Sequence, residues 1–174
     1  MRHRFNKPVE LKAALRPSVA AAMVHLTQPA DDDIFLDPMC GSGTLVMERR
    51  YAGAYAQMLA GDIVYDHVQA ARQNVEALRK EPPTAFSTLH SDAVRLPLAT
   101  GSITRVATNL PFGKQIGSPQ AVQKLYPAFF RELERVLVGG NGRAVVLSSE
   151  YELVKEAVRA CPGLEILTGY SIAV

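Results

Sequence analysis

The chain has 174 residues, 48% of them apolar and 21% charged, with a formal net charge of +2. That is one domain's worth of chain, and its composition excludes disordered and fibrous classes. No apolar run approaches the ~18 residues of a membrane span, the basic start "MRHRFNKPVELK" lacks an export signal's apolar core, and two cysteines, Cys40 and Cys161, have neither metal-ligand nor disulfide spacing. The expectation is a single cytoplasmic domain, 1–174, holding no metal.

Elements follow in chain order. "VELKAALRPSVAAAMVHL" reads as helix in two pieces broken at Pro17. "DIFLD" (33–37) is a buried strand, "GSGT" a turn, and "LVMERRYAGAY" a helix. "QMLAGD" (57–62) is a second strand, followed by the helix "YDHVQAARQNVEALRK", which the prolines at 82–83 stop. "AFSTLHSD" (85–92) and "SITRVATN" (102–109) are the third and fourth strands. "PQAVQKLYPAFFRELERVL" is a helix interrupted or kinked near Pro127. "RAVVLSS" (143–149) is a fifth strand behind the turn "GGNG", "EYELVKEAVRAC" a helix, and "LEILTGYSIAV" a last extended segment. The alternation predicts an α/β fold, a doubly wound and mostly parallel sheet. Such sheets bind ligands at the carboxyl ends of their strands.

Those ends carry a pattern. "DPMCGSGT" opens with Asp37, and Gly41 and Gly43 allow close backbone approach. The third glycine of a dinucleotide loop is replaced by Val46, and no phosphate-binding Gly-Lys-Ser/Thr is present. A carboxylate beside a glycine turn suits a cation. Asp62 ends the second strand, placed to accept hydrogen bonds from a ribose, although a helix cap would explain it too. Asp92 ends the third strand and can accept from an exocyclic amine, or can close a turn. Together the three describe S-adenosylmethionine, which has a ribose, an adenine and an amino-acid tail and no phosphate.

Asn109 ends the fourth strand in "NLPFGKQIG". Its side-chain carbonyl and the backbone carbonyl of Leu110 can both accept from one NH2 group. Pro111 fixes the turn, and Phe112 offers a stacking face for a flipped base, worth about 1–3 kcal/mol. A buried turn with Phe112 in the core is the competing explanation.

These residues resemble a known family. "DPMCGSGT" with "NLPFGKQIG", preceded by "LKAALRPSVAAAMVHL", is similar to the catalytic domain of the THUMP-associated RNA methylase family, which methylates the exocyclic N2 of guanine in tRNA or 23S rRNA. The resemblance runs from about Lys12 to Ser149 and implies a Rossmann-like class I methyltransferase fold. It implies that Asp37, Met39, Cys40, Gly41, Gly43 and Thr44 form the cofactor loop. Asp62 would bind the ribose, Asp92 with Ala93 the adenine, with Ile63 also at the cofactor, and Asn109, Leu110, Pro111 and Phe112 the target amine. The segment 1–30 would lie over the cofactor. Glu48 falls at an acidic position of the family without an assigned role. The chain departs in three ways: Leu110 stands where the wider amino-methyltransferase pattern has proline, no THUMP-like segment precedes the domain, and the last antiparallel strand of the sheet is expected to be missing.

The expected activity is therefore S-adenosylmethionine-dependent methylation of guanine N2, in tRNA first. An adenine-N6 methyltransferase acting on DNA or rRNA is the second reading, and a non-catalytic RNA- or partner-binding module of the same fold the third. Arg2, Arg4, Lys7 and Lys12, with Lys114, are the candidate RNA contacts. The low net charge calls for a separate RNA-binding domain or protein.

Overall fold

Strands buried on both faces read as apolar runs with polar residues only at their ends. In the computed structural model, which describes residues 7–11, 14–78, 85–111 and 119–172, those ends frame one parallel sheet. Its strands are β1 (Ile34–Asp37), β2 (Gln57–Asp62), β3 (Phe86–His90), β4 (Arg105–Asn109) and β5 (Arg143–Leu147), in the order β3-β2-β1-β4-β5. The helices between them are α1 (Pro17–Leu26), α2 (Thr44–Tyr51), α3 (Tyr65–Glu76), α4 (Pro119–Val136) and α5 (Tyr151–Arg159).

Side chains alternate across the sheet with a period of two residues. Phe35, Met58, Ala60 and Ala107 join a core with α1, α2 and α3, whereas Leu36, Leu59 and Val106 join one with α4 and α5. The sheet is thus doubly wound, as the sequence predicts. The chain winds outward from β1 through β2 and β3, then returns to lay β4 on the other side of β1. β1 and β4 pair through Phe35 with Arg105 and Leu36 with Val106. Their diverging carboxyl ends are where this architecture opens a crevice.

Two expectations about helices need correction. Residues 9–11 and 14–16 are not helical. The Asn74 side chain takes both backbone groups of Val9, accepting from its amide at 2.9 Å and donating to its carbonyl at 2.8 Å. Arg16, preceding a proline, is extended at φ −62°, ψ 132°. Pro17 then sits where a missing N–H costs nothing. Conversely, α4 runs through Pro127 without interruption. An interior proline costs about 3 kcal/mol. Tyr126, Phe129, Phe130 and Leu133 are all buried along this helix, and each large apolar side chain returns about 1.5–3 kcal/mol.

Residues 164–172 were expected to be extended. They lie at the surface without a strand, exposing Leu167 and Tyr170. Among the described residues no helix is long and apolar enough to cross a membrane.

Candidate active site

The two aspartates that bracket β1 differ in their partners. Asp33, at its start, has Arg49 at 3.1 Å, and that fully buried guanidinium also donates to the carbonyls of Ala30 and Ala54. This is a closed structural ion pair. Asp37, at its end, is equally buried and has no described cation within ion-pair distance. Burial pushes its carboxyl up to about 7, and the neighbouring Asp62 adds to the rise, while Thr108 and the Met39 amide oppose it. A carboxylate desolvated without a counter-charge suits an incoming cation.

Residues 38–43 carry the chain from Asp37 into α2. Gly41 has φ +50° and Gly43 has φ +78°, both left-handed. Their reasons differ. A Cβ on Gly41 would face open space, whereas one on Gly43 would sit 3.1 Å from the Cα and Cβ of Ala71. Gly43 therefore serves the approach of α2 to α3, and only Gly41 borders free volume. The turn is tied to β2 twice: Cys40 N donates to Gly61 O at 2.8 Å, and Gly41 N to Asp62 Oδ2 at 2.9 Å. Met39 is half-buried against the α4 side of the core. Cys40 and Thr44 are buried, and burial and the two aspartates push the Cys40 thiol up.

Asp62 is no helix cap, since Val64 holds that position for α3. Its Oδ1 accepts from Val64 N at 3.0 Å and lies 3.2 Å from His67 Nδ1. Next to it Ile63 is 63% exposed, presenting an apolar surface beside the strand end. Asp92 is exposed and accepts from Val94 N at 3.1 Å, with Ala93 buried behind it.

Across the crevice, Asn109 closes β4. Its Oδ1 is buried and accepts no hydrogen bond from any described residue. Leu110 is buried, and its amide donates to Leu147 O at 3.0 Å. Pro111 is half-buried, and its carbonyl accepts from the Tyr126 hydroxyl at 3.1 Å. Phe112, Lys114, Arg2, Arg4 and Lys12 lie outside the described residues.

Lys7, expected as an RNA contact, is instead engaged within the fold. Its ammonium donates to the hydroxyls of Thr44 and Ser42 on the glycine turn. Burial lowers its pKa, while Glu10 and Glu48 work to raise it. Asn74, which holds Val9, also donates to Ser42 O at 2.9 Å, so one side chain joins the N-terminal segment, the glycine turn and α3. A polar residue on the buried face shared by Ala71 and Val75 was the signal in the sequence for this role. Tyr126 carried no such signal, being one aromatic among several in an apolar stripe.

Residues 4–165 match the family described as UPF0020, RMKL-like, methyltransferase domain. The chain is 36% identical over 166 residues to the human tRNA (guanine(6)-N(2))-methyltransferase THUMP3, a match covering 90% of this chain and 32% of that protein. It is 28% identical over 141 residues to the bovine U6 snRNA (guanine-N(2))-methyltransferase THUMPD2, covering 80% of this chain and 26% of that protein. The crystal structure of TrmN from Thermus thermophilus superposes with a TM-score of 0.70 at 27% identity, over 82% of this chain and 41% of that one. The chain thus spans about a third of the length of the mammalian relatives it matches.

Proposed function

The chain belongs to the RMKL-like methyltransferase domain family, and on that premise we propose that it transfers a methyl group from S-adenosylmethionine to the exocyclic N2 of guanine in an RNA, tRNA first. The observation that carries this reading is the buried, unpartnered Oδ1 of Asn109, which faces no described donor at the mouth of the crevice. A buried acceptor left unmet costs about 1–3 kcal/mol, and an amine N–H is the partner it suits.

The residues around the crevice fit the cofactor's parts. Asp37 takes the ammonium, its own burial making that charge pairing strong. Asp62 takes one ribose hydroxyl, on the acceptor site that its described partners leave open. A carboxylate has about four lone-pair sites, of which Gly41, Val64 and His67 engage three. Asp92, with Ala93 behind it, takes the adenine amine, and Ile63 covers the ring. When bound, S-adenosylmethionine supplies an electrophilic methyl group on its sulfonium. Asn109 and the Leu110 carbonyl hold the two hydrogens of the target amine, which orients its lone pair along the line of attack. Phe112 stacks on the displaced base. A net charge of +2 gives little general attraction for phosphates, so docking of the RNA is assigned to a separate domain or protein.

Incubation of the full chain with labelled S-adenosylmethionine and total tRNA, rRNA, small nuclear RNA and DNA, followed by nucleoside mass spectrometry, tests the reading. N2-methylguanosine in the tRNA fraction is expected. N6-methyladenosine in any fraction, or no cofactor binding by calorimetry, overturns it.

A further inference from the structure

The turn that presents the target-amine acceptors is anchored from below by a chain of hydrogen bonds. The Pro111 carbonyl lies 3.1 Å from Tyr126 Oη, Oη lies 2.8 Å from Ser148 Oγ, and Ser148 Oγ lies 2.9 Å from the Glu150 amide. The proton directions follow by elimination. A carbonyl only accepts, so Tyr126 donates to Pro111. Its one proton is then spent, so it accepts from the Ser148 hydroxyl, whose oxygen accepts from the Glu150 N–H. Tyr126 is fully buried, with its ring edge-on to Phe130 at 6.5 Å between centroids, so Oη has little freedom to move. One residue earlier, the Leu110 amide is fixed to Leu147 O at 3.0 Å. The Leu110 carbonyl lies between these two anchors.

We infer that Tyr126 is a positioning residue for methyl transfer: its hydroxyl, backed by Ser148, fixes the Pro111 carbonyl and thereby the orientation of the Leu110 carbonyl and the Asn109 side chain toward the target amine. The inference rests on the reading of Asn109 and Leu110 as the amine's acceptors. It assigns a role in turnover to a side chain that touches neither cofactor nor substrate, and it ties the β5 end to the geometry of the reacting group.

Tyr126→Phe removes one oxygen and keeps the ring, and Ser148→Ala removes the backing hydroxyl. Both are compared with the wild-type chain for kcat and KM on total tRNA, for S-adenosylhomocysteine Kd by calorimetry, and for unfolding midpoint. Tyr126→Phe is expected to lower kcat about 10- to 100-fold, the cost of a slight misplacement of reacting groups, with KM and Kd unchanged. Ser148→Ala moves kcat the same way by less, and Ser148→Thr restores it. Wild-type kcat in Tyr126→Phe, or a parallel loss of cofactor affinity and folding, overturns the inference. If Tyr126→Phe does not fold, an unchanged kcat in Ser148→Ala overturns it. A wild-type chain that binds no S-adenosylhomocysteine, or that forms N6-methyladenosine, overturns the functional reading as well, whereas equal activity of wild type and Tyr126→Phe overturns the positioning role alone.

Discussion

The Asp62 carboxylate accepts the amide of Gly41 at 2.9 Å, across 21 residues of sequence. The group assigned to the ribose therefore also shapes the glycine turn. Asp62→Ala is expected to weaken S-adenosylmethionine binding by about 1.5–3 kcal/mol, as for hydrogen bonds to a charged group. It should also lower stability, because the Gly41 and Val64 amides lose their acceptor. Calorimetry and thermal melting read the two effects separately. An unchanged Kd alongside a lowered melting point would leave Asp62 with only the structural role.

Asp37, whose pKa burial raises to about 7, is expected, as the group assigned to the ammonium, to make cofactor binding pH-dependent. The ammonium needs the ionised carboxylate, so affinity should rise about tenfold per pH unit below 7 and level off above it. Asp37→Asn should bind weakly at every pH and lose that slope. The effect on folding has the opposite sign. Between the ordinary carboxylate range and 7 the folded chain holds a proton that the unfolded chain has released, so this residue's contribution to stability falls as pH rises across that window. Asp37→Asn should gain stability relative to wild type progressively as pH rises from about 4 to about 7, the span of that window, which denaturant titration at several pH values checks.

Asn109→Ala should leave the cofactor Kd within about twofold and lower kcat on the order of 10²–10³-fold, the loss typical of one preorganised polar contact. Single-turnover kinetics at saturating RNA isolate this step. Turnover at the wild-type rate would remove Asn109 from the amine site.

Gly43→Ala should destabilise the chain by about 1–3 kcal/mol from backbone strain alone. The added Cβ also meets Ala71 at 3.1 Å. Gly41→Ala carries similar strain but meets no atom within 4 Å, so it should unfold at a higher temperature than Gly43→Ala. Differential scanning calorimetry of the pair separates the packing term from the conformational one.

The strand ends were legible because an apolar run gives way there to a polar residue that ends the strand. Asp37, Asp62 and Asn109 all stand at the carboxyl ends of their strands, and each could be located by counting apolar residues. The role of Gly43 was not, since a glycine tight against a helix and a glycine lining a pocket look alike in a turn sequence. The non-helical course of residues 9–11 was hidden for another reason: the distant Asn74 side chain holds both backbone groups of Val9, which no local pattern reports. Lys7 could be assigned by charge but not by place, because its partners on the glycine turn are 35 and 37 residues away. Pro127 suggested a break that the buried aromatic stripe of α4 overrides.

The hold of Asn74 on Val9 has a kinetic side. On the ribosome, residue 9 has no docking partner until α3 has emerged and folded, 65 residues later. In the finished chain, undocking it breaks the two hydrogen bonds to Asn74 and the Lys7 contacts, and leaves the sheet intact. Each such bond contributes about 0.5–1.5 kcal/mol net, far less than global unfolding, so the Val9 amide should exchange with solvent orders of magnitude faster than those of β1 or β2. The Val9 segment is thus expected to open locally without unfolding of the sheet.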